Sequence, residues 1–370
     1  MMRQLRFRFI HLAILLISIF FYTKMRRVSK IQNFLTEQSK SLFNNQNELN
    51  DYREQFRKTL NNMNDSKTPA ILLLNKYALN ISLNFLCNLR KFPGAVDHIV
   101  AVVFDSYSHQ ILKESFTDIG GIVYWNIPAL EEKFSSGDGR YQVFQYFRAK
   151  LVSLLTEVTD QFWMVQADTI WKENLFEIID TESQEFINAG IIFDSEGSEG
   201  LLRYMIAGGY FFVRSANSTK KFFESAAEFL LNNFATDNNV MNRLCIQKAF
   251  GVECGQINYS IISNWRMTST LKEHLEDSSS PPLFQFDGDD GSTDKFSKIK
   301  NEGYLFVDLT TKKCLPDNLN IKNQRHSSKN KLFLLSFIHN IFEFFYFQFP
   351  SIKYFLLTDL FPYYAAYFFI

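Results

Sequence analysis

The sequence has no surplus of either charge, because 39 lysines and arginines balance 39 aspartates and glutamates in 370 residues. A protein that follows the phosphates of a nucleic acid needs an excess of basic residues, so we predict no nucleic-acid partner. Cysteine is also scarce. Four cysteines are too few for a disulfide scaffold, and none has the CxxC or Cys/His spacing of a structural zinc site.

Several motifs of common enzyme classes are missing as well. The sequence contains no GxGxxG, no P-loop, no GxSxG and no HExxH. The sequence therefore lacks the motif residues of four enzyme classes: dinucleotide-binding enzymes, P-loop enzymes, serine hydrolases and zincins. Hydrophobic residues nevertheless make up 46% of the chain, which is enough to bury a core and excludes wholesale disorder.

An apolar run at residues 9–23 has basic residues on both sides. It is short for a membrane span and also suits the apolar part of a signal peptide. The run ends on Phe20, Phe21 and Tyr22 rather than on a small-x-small cleavage site, so we predict an uncleaved signal anchor after a cytoplasmic tail of residues 1–8. Sequons on its carboxyl side favour a type II orientation with a lumenal body. They are Asn64, Asn80, Asn217 and Asn258.

Residues 24–68 form a predicted stem that is rich in Asn, Gln, Ser and Lys. Apolar residues recur in it every seven positions, while the companion heptad positions are mostly polar. The recurring residues are Val28, Leu35, Leu42, Leu49, Phe56 and Met63. This half of a coiled-coil seam indicates a helical spacer in preference to a stalk that pairs two copies of the chain into a homodimer.

Residues 69–320 form the predicted main domain, which is large enough for an enzyme. Short apolar runs alternate in it with segments whose apolar residues have helical spacing. This alternation is typical of βαβ units and a parallel sheet. Ligands of such sheets lie beyond the carboxyl ends of the strands. Asp168 stands there, after the apolar run that ends at Val165. It is either a ligand-binding carboxylate or a cap for the helix predicted over residues 174–180.

Four segments resemble the nucleotide-diphospho-sugar transferase family of type A glycosyltransferases and occur in that family's order. They are WMVQADTIWKENLF (163–176), AGGYFFVRSANSTKKFFE (207–224), TDNNVMNRLC (236–245) and PPLFQFDGDDGSTDK (281–295). The resemblance implies a GT-A-like, Rossmann-like α/β fold with a mixed, mostly parallel sheet flanked by helices. It also implies a nucleotide-sugar donor, a glycan or glycoprotein acceptor and a divalent cation, usually Mn²⁺.

The resemblance assigns roles to individual residues of the DxD-like motif and of the late loop. Asp168 takes the last position of the motif and is expected to bind metal, while Gln166 takes the first position, where the family has a carboxylate. Gln166 can still hydrogen-bond the donor but supplies no charge. In the late loop, where many members of the family have a metal-binding His, this chain has Asp287 or Asp289, and Asp287 is the expected second metal ligand. Lys295 is the expected contact to the diphosphate. The alternative is an acidic, Gly-rich surface turn that binds no ligand.

Three further residues are candidates with a simpler alternative. Arg148 and Lys150 lie on the helix before the Asp168 strand and suit donor phosphate, although basic residues on a helix are often only solvated. Asp237 opens the helix of the third segment, where it is a candidate catalytic or acceptor-binding residue or an ordinary N-terminal cap. Cys245 and Cys254 are close enough in sequence to form a lumenal disulfide.

The combined expectation is a single-pass type II Golgi membrane glycosyltransferase. Its alternative is a catalytically degenerate binding protein of the same fold, which Gln166 favours. Residues 321–370 form a hydrophobic aromatic tail beyond the resemblance. They are either a second membrane segment, an interfacial anchor, or sequence foreign to the fold.

Overall fold

The centre of the molecule is a mixed β-sheet. The computed structural model describes residues 2–43, 45–63, 67–135, 137–198, 200–264, 281–286 and 295–316. Within these residues the strands of the main sheet are β1 Ala70–Leu74, β2 Ile99–Val103, β3 Gly121–Tyr124, β4 Gln161–Val165, β6 Ile191–Ser195, β7 Ile206–Arg214 and β8 Cys254–Ile257. A small second sheet contains β5 Thr169–Trp171, β9 Ile262–Ser263 and β10 Leu283–Gln285.

The order of the main sheet is β3-β2-β1-β4-β7-β6-β8. Neighbouring strands are parallel except at β7, which runs antiparallel to both β4 and β6. In the small sheet, β10 lies between β5 and β9. The mixed, mostly parallel sheet that the sequence predicted is therefore present.

Helices cover both faces of this sheet. They are α1 Met2–Leu42, α2 Gln46–Asn61, α3 Leu79–Leu89, α4 Ser106–Ser115, α5 Pro128–Glu131, α6 Gly139–Leu155, α7 Leu175–Ile178, α8 Asn217–Asn232, α9 Asp237–Ile246 and α10 Lys295–Asn301. Successive residues of β2 alternate between two cores, with Val100 and Val102 in one and Ile99 and Ala101 in the other. Burial on both faces explains why this strand reads as a continuous apolar run.

One predicted helix is much shorter than its sequence indicated. The amphipathic segment 174–180 forms only the single turn α7. Asn174 begins this turn by accepting a hydrogen bond from the backbone N–H of Phe176, and Asp180 already accepts one from Glu182 in the following turn. A helix of one turn gains few backbone hydrogen bonds. The side-chain hydrogen bonds of Asn174 and Asp180 therefore determine where α7 begins and ends.

The predicted stem is helical but packs against the α/β body. The heptad residues Leu35, Leu49 and Phe56 are buried in the core that also contains Val100 and Val102 of β2. Leu42 and Met63 pack at the margin of this core. The helical character that the sequence predicted for the stem is present, and the prediction did not say what the apolar stripe contacts. A single apolar stripe on a helix must be covered, and here the chain's own body covers it.

Close contacts fix α2 against the sheet. The Tyr52 ring stacks on the Trp125 ring with 3.9 Å between centroids. Next to it, the Thr59 methyl group occupies the place where a side chain on Gly121 would begin. Glycine at the start of β3 thus permits the helix to approach the sheet edge closely.

The structure describes only some of the residues on which the membrane predictions depend. The predicted anchor at residues 9–23 lies within α1. Among the described residues no helix combines the length and the apolar character needed to cross a membrane. The aromatic tail of residues 321–370 and the sequon at Asn64 lie outside the described residues.

All four cysteines form disulfides. Cys245 pairs with Cys254, the candidate pair noted in the sequence, with 5.7 Å between their Cα atoms. Cys87 pairs with Cys314, which the sequence did not predict because 227 residues separate them. This second bond links α3 to the last described segment of the body.

The contact between α2 and β3 predicts a specific double-mutant result. We expect Gly121→Ala to destabilise the protein by about 1–3 kcal/mol, because the new methyl group overlaps the Thr59 methyl. Thr59→Ser removes only that methyl, and the remaining Cβ would lie 3.6 Å from the new one. Urea unfolding should therefore show that Gly121→Ala costs much less in the Thr59→Ser background. Equal costs in both backgrounds would mean that α2 does not pack at this position.

Candidate functional site

The candidate site lies at the carboxyl end of β4. The strand ends at Val165, and Gln166, Ala167 and Asp168 follow before β5 begins. β10 pairs antiparallel with β5, with Gln285 opposite Thr169. The backbone N–H of Phe286 also donates to the Asp168 carbonyl at 2.7 Å. This pairing brings the late segment of the chain to the strand end.

Asp168 is surrounded by hydrogen-bond donors from that late segment. Lys295 Nζ lies 2.6 Å from Asp168 Oδ2, and Gln285 Nε2 donates to Asp168 Oδ1 at 3.2 Å. The same Gln285 amide donates to Gln166 Oε1. The structure therefore unites three predicted site residues, Gln166, Asp168 and Lys295, around a glutamine that the sequence reasoning missed.

The charges in this cluster compensate one another. Asp168 is only 8% exposed, and burying a carboxylate costs free energy unless a cation or several donors accompany it. Lys295 supplies that cation, while its own side chain remains 41% exposed. The Lys295 side chain is thus held by Asp168 at its ammonium group while much of its length remains accessible to solvent.

A second buried carboxylate holds the start of β7. Asp194 accepts hydrogen bonds from the backbone N–H groups of Gly208 at 2.7 Å, Gly209 at 3.2 Å and Tyr210 at 3.0 Å. Burial raises the pKa of Asp194 to about 7, although these donors act in the opposite direction. Sequence reasoning missed Asp194, yet it ends an apolar run, IIFD at 191–194, in the manner of Asp168.

The two glycines at this point are required for different reasons. Gly208 has a φ of +74°, which is a left-handed conformation that favours glycine. A Cβ atom on Gly209 would lie 2.9 Å from Gln285 Oε1 and 3.1 Å from Asp194 Oδ2. The β7 backbone therefore approaches the Gln285 amide too closely for a side chain on Gly209.

Arg148 and Asp237 are paired with each other. Arg148 Nε lies 2.7 Å and Nη2 2.5 Å from Asp237 Oδ2, and both side chains are buried. Arg148 Nη1 also donates to the Gly208 carbonyl at 3.0 Å. Gly208 is thus held from both sides, by Asp194 and by Arg148. In this geometry the predicted phosphate-binding Arg148 and the predicted catalytic Asp237 compensate each other's charge, and Arg148 also contacts the Gly208 carbonyl.

The charges of this pair and of Lys295 all act on the Tyr141 phenol. Burial is the main cause that raises the pKa of the Tyr141 phenol, and the negative charge of Asp237 raises it further. The positive charges of Arg148 and Lys295 act on the same phenol and lower its pKa.

Two other predicted residues are not brought to the cluster. The Lys150 ammonium lies 6.0 Å from the centre of the Phe43 ring, on the side of the N-terminal helices. Its predicted contact with donor phosphate stays a prediction without support from this placement. Asp287, the predicted second metal ligand, lies outside the described residues.

Comparison with known proteins now identifies the family. A profile of nucleotide-diphospho-sugar transferases matches residues 94–299, which is more than half of the chain and contains all four predicted segments. The chain belongs to the nucleotide-diphospho-sugar transferase family. This membership confirms the predicted enzyme class, a nucleotide-sugar-dependent glycosyltransferase. No curated protein matches the transferase.

Solved structures of glycosyltransferases resemble the transferase at low sequence identity. WbbM, a bifunctional enzyme, is 11% identical, with a TM-score of 0.41 over 61% of this chain and 46% of its own. Mouse xyloside xylosyltransferase 1 is 8% identical, with a TM-score of 0.39 over 62% and 99%. The galactosyltransferase LgtC is 11% identical, with a TM-score of 0.38 over 60% and 88%. The transferase thus spans less than half the length of WbbM.

The described residues of the site do not fit a divalent cation. Nowhere in the described ranges do three or more His, Cys, Asp or Glu side chains form a group that could hold a metal. Asp168 is the one carboxylate of the cluster in these ranges, and each of its oxygens already accepts an N–H donor. Hard cations need several oxygen ligands, and the amide of Gln285 turns its nitrogen toward this position.

The pKa of Asp194 predicts a pH dependence of stability. Because its pKa in the folded protein lies above the ordinary value, the folded state holds this proton more tightly than the unfolded chain does. The carboxyl therefore stabilises the fold in acid, and this contribution is lost as the pH rises through about 7. We expect the stability advantage of the native protein over Asp194→Asn to shrink between about pH 5 and about pH 8, measured by urea unfolding.

Asp118 provides the matched control for this titration. A hydrogen bond from Arg90 holds the pKa of Asp118 below its usual value, so Asp118→Asn should shift stability equally throughout that pH range. An advantage of Asp194 that grows with pH would contradict the prediction and show that its three N–H donors outweigh burial.

Proposed function

We propose that the transferase moves a glycosyl group from a nucleotide-diphospho-sugar donor to a glycan or glycoprotein acceptor in the secretory pathway. The observation that carries this proposal is the Lys295 ammonium held by Asp168 at the carboxyl end of β4. This edge of an open α/β sheet is where such folds bind their ligands.

The chemistry of the proposed transfer fits the cluster. As the glycosidic bond breaks, the leaving nucleotide diphosphate gains negative charge, and a cation fixed beside it stabilises that charge. Lys295 can provide this cation because Asp168 fixes its position. The amides of Gln166 and Gln285 lie beside it and can donate to or accept from polar groups of the donor.

The roles of Arg148 and Asp237 follow from their pairing. Removing one member of a buried ion pair leaves the other uncompensated and is strongly destabilising. Together they hold the Gly208 carbonyl and so fix the start of β7 against the donor cluster. We propose that they position the site, and that Asp237 contacts the acceptor only if its pairing with Arg148 opens.

The compartment belongs to the same proposal. Two disulfides, Cys87–Cys314 and Cys245–Cys254, are typical of proteins that fold in an oxidising compartment. Two of the described sequons, Asn217 and Asn258, are exposed. We propose a single-pass type II Golgi membrane protein, anchored by residues 9–23, with the body in the lumen. A homodimer through the stem gains no support, because the stem's apolar stripe packs within its own chain.

The alternative is a binding protein of the same fold that no longer catalyses transfer. Gln166 favours this alternative, since the cluster has a neutral amide where a second carboxylate would add charge. The Asp168–Lys295 pair argues against it, because it keeps a cation at the strand end where open α/β sheets bind their ligands.

Nucleotide binding tests the proposed donor site. We expect UDP or GDP to bind the purified protein in the presence of Mn²⁺, as measured by calorimetric titration. Asp168→Asn should weaken this binding by about tenfold or more, because Lys295 loses the charge that holds it in place.

Asp160→Asn is the matched control, because Asp160 is exposed and precedes the opposite end of the same strand. It should bind nucleotide as the native protein does. If neither nucleotide binds the native protein, the donor site is absent and the alternative function gains support.

The proposed lumenal orientation predicts N-glycosylation. The exposed Asn217 and Asn258 should carry glycans when the full chain is expressed in animal cells, and Asn217→Gln and Asn258→Gln should each remove one glycosidase-sensitive step in gel mobility. Asn80 is the internal comparison, because it is part-buried and its side chain accepts a hydrogen bond from Lys312. A protein without any glycan at the two exposed sequons would count against a lumenal body.

A further inference from the structure

We infer that the site edge of the transferase faces the membrane and that its acceptor is a saccharide carried by a membrane lipid. The site edge is the edge of the main sheet at the carboxyl end of β4, where Asp168 and the Arg148–Asp237 pair lie. This orientation rests on the proposed function and on the proposed anchor at residues 9–23. It narrows the acceptor of the same site to one class.

A single helix connects the proposed anchor to the body. α1 runs without a break from Met2 to Leu42, and residues 1–68 contain neither glycine nor proline. Sharp kinks in helices are caused mainly by these residues or by insertions into the hydrogen-bond ladder. The anchor and the first part of the stem therefore form one rigid element, which fixes the orientation of the body.

The first part of α1 is apolar on all sides. The side chains of Ile14, Leu15, Leu16, Phe20 and Phe21 are each more than half exposed. Consecutive residues point in different directions around a helix, so this apolar surface is not confined to one stripe. A helix surface that is apolar all round suits a lipid environment rather than water.

The stem first contacts the body at the site edge. Gln32 Nε2 donates to the Leu231 carbonyl at 3.3 Å, and Ile31 packs with Phe234 in a small buried cluster. Asp237 follows Phe234 by only three residues. The end of α8 therefore links the stem directly to the site.

A second early contact of the stem lies on α6. A Cβ atom on Gly139 would lie 2.8 Å from Cδ1 of Phe34, so the Phe34 ring covers the start of this helix. Tyr141 follows two residues later, and the charges of Asp237 and Arg148 act on its phenol. Both early contacts of the stem thus adjoin the site edge.

The later part of the stem leads to the opposite edge of the sheet. Thr59 on α2 contacts Gly121 at the amino end of β3, and Met63 lies beside Gly120. β3 is parallel to β2, β2 to β1 and β1 to β4, so this is the edge at which β4 also begins. The chain therefore passes from the anchor to the site edge and only then to the opposite edge.

The height of the body above the membrane limits the acceptor. Ile31 lies eight residues after Thr23, where the apolar run ends. A helix rises about 1.5 Å per residue, so the body begins about 12 Å from the hydrocarbon. Lipid headgroups occupy roughly half of that distance. The remaining gap admits a saccharide on a lipid, whereas a folded domain of about 30 Å does not fit beneath the site edge.

Fluorescence quenching tests which edge faces the membrane. All four cysteines are paired in disulfides, so Asn232→Cys or Asp160→Cys provides one thiol for a dye. Asn232 is exposed at the end of α8 beside the stem contacts, and Asp160 is exposed just before β4, at the opposite edge.

The full-length protein is reconstituted in vesicles whose lipids carry a short-range quencher on the headgroup. The dye at position 232 should be quenched about twofold or more strongly than the dye at position 160, because the length of β4 alone separates the two edges by roughly 16 Å. Equal quenching, or stronger quenching at position 160, would overturn the inference. Unfolding curves show whether each labelled variant retains the native fold.

A flexible linker provides the matched comparison. About ten glycine and serine residues inserted after Arg27 interrupt α1 between the anchor and the body, so the difference in quenching should disappear. The same linker inserted before residue 9 lies on the other side of the anchor and should leave the difference unchanged. A difference that survives the insertion after Arg27 would show that α1 does not orient the body, and would overturn the argument.

Glycosyl transfer tests the acceptor class. Vesicles prepared with a total glycolipid extract of animal cells and containing the full-length protein are supplied with radiolabelled UDP-sugars and GDP-sugars. We expect label in the lipid fraction, and little label in the free saccharides released from the same lipids. The linker after Arg27 should lower transfer to lipid by about tenfold, because the site loses its fixed position over the headgroups. It should not change the affinity for UDP or GDP.

The outcomes separate this inference from the proposed function. A lipid fraction without label would overturn the lipid acceptor. Label in soluble glycoproteins added to the same vesicles would then leave the proposed transfer standing. Absence of both nucleotide binding and transfer would overturn the proposed function together with this inference.

Discussion

The site depends on the compensation of one buried carboxylate. Asp168 lies at a strand end from which solvent is largely excluded, and an uncompensated negative charge there would cost several kcal/mol. A segment more than a hundred residues later in the chain supplies the hydrogen-bond donors that compensate this charge. β10 pairs with β5, and this pairing places Gln285 and Lys295 on the two carboxylate oxygens. The second sheet is thus the element that completes the site.

The start of β7, next to the Asp168 cluster, also depends on buried charges that are compensated by hydrogen bonds. Asp194 gathers three backbone N–H groups at the start of β7, and the Arg148–Asp237 pair holds the Gly208 carbonyl. Both arrangements bury charge and satisfy it with hydrogen bonds rather than with solvent. They leave the β7 backbone rigid where it passes the Gln285 amide. Precise placement of a donor needs such rigid support.

Much of this could be predicted from the sequence because it is local. Strand and helix periodicity located the main sheet, and the position of Asp168 after an apolar run placed it at a strand end. The resemblance to a family then linked Asp168 with Lys295, which periodicity alone could not do. Asp194 carried the same strand-end signal as Asp168 and was missed because no motif drew attention to it.

The remaining features depend on contacts between distant parts of the chain. A heptad stripe predicts that one face of the stem helix must be covered, but not whether a second copy or the chain's own body covers it. Gln285 is an ordinary glutamine until the pairing of β10 with β5 places it beside Asp168. Arg148 and Asp237 were each predicted as site residues, and only the fold shows that they satisfy each other.

The central claim is that Lys295, held by Asp168, receives the donor diphosphate. A crystal structure of the transferase grown with UDP or GDP and Mn²⁺ would test this claim most directly. We expect a phosphate oxygen at about 3 Å from Lys295 Nζ, with the contact to Asp168 retained. A nucleotide bound away from the carboxyl end of β4 would contradict the claim.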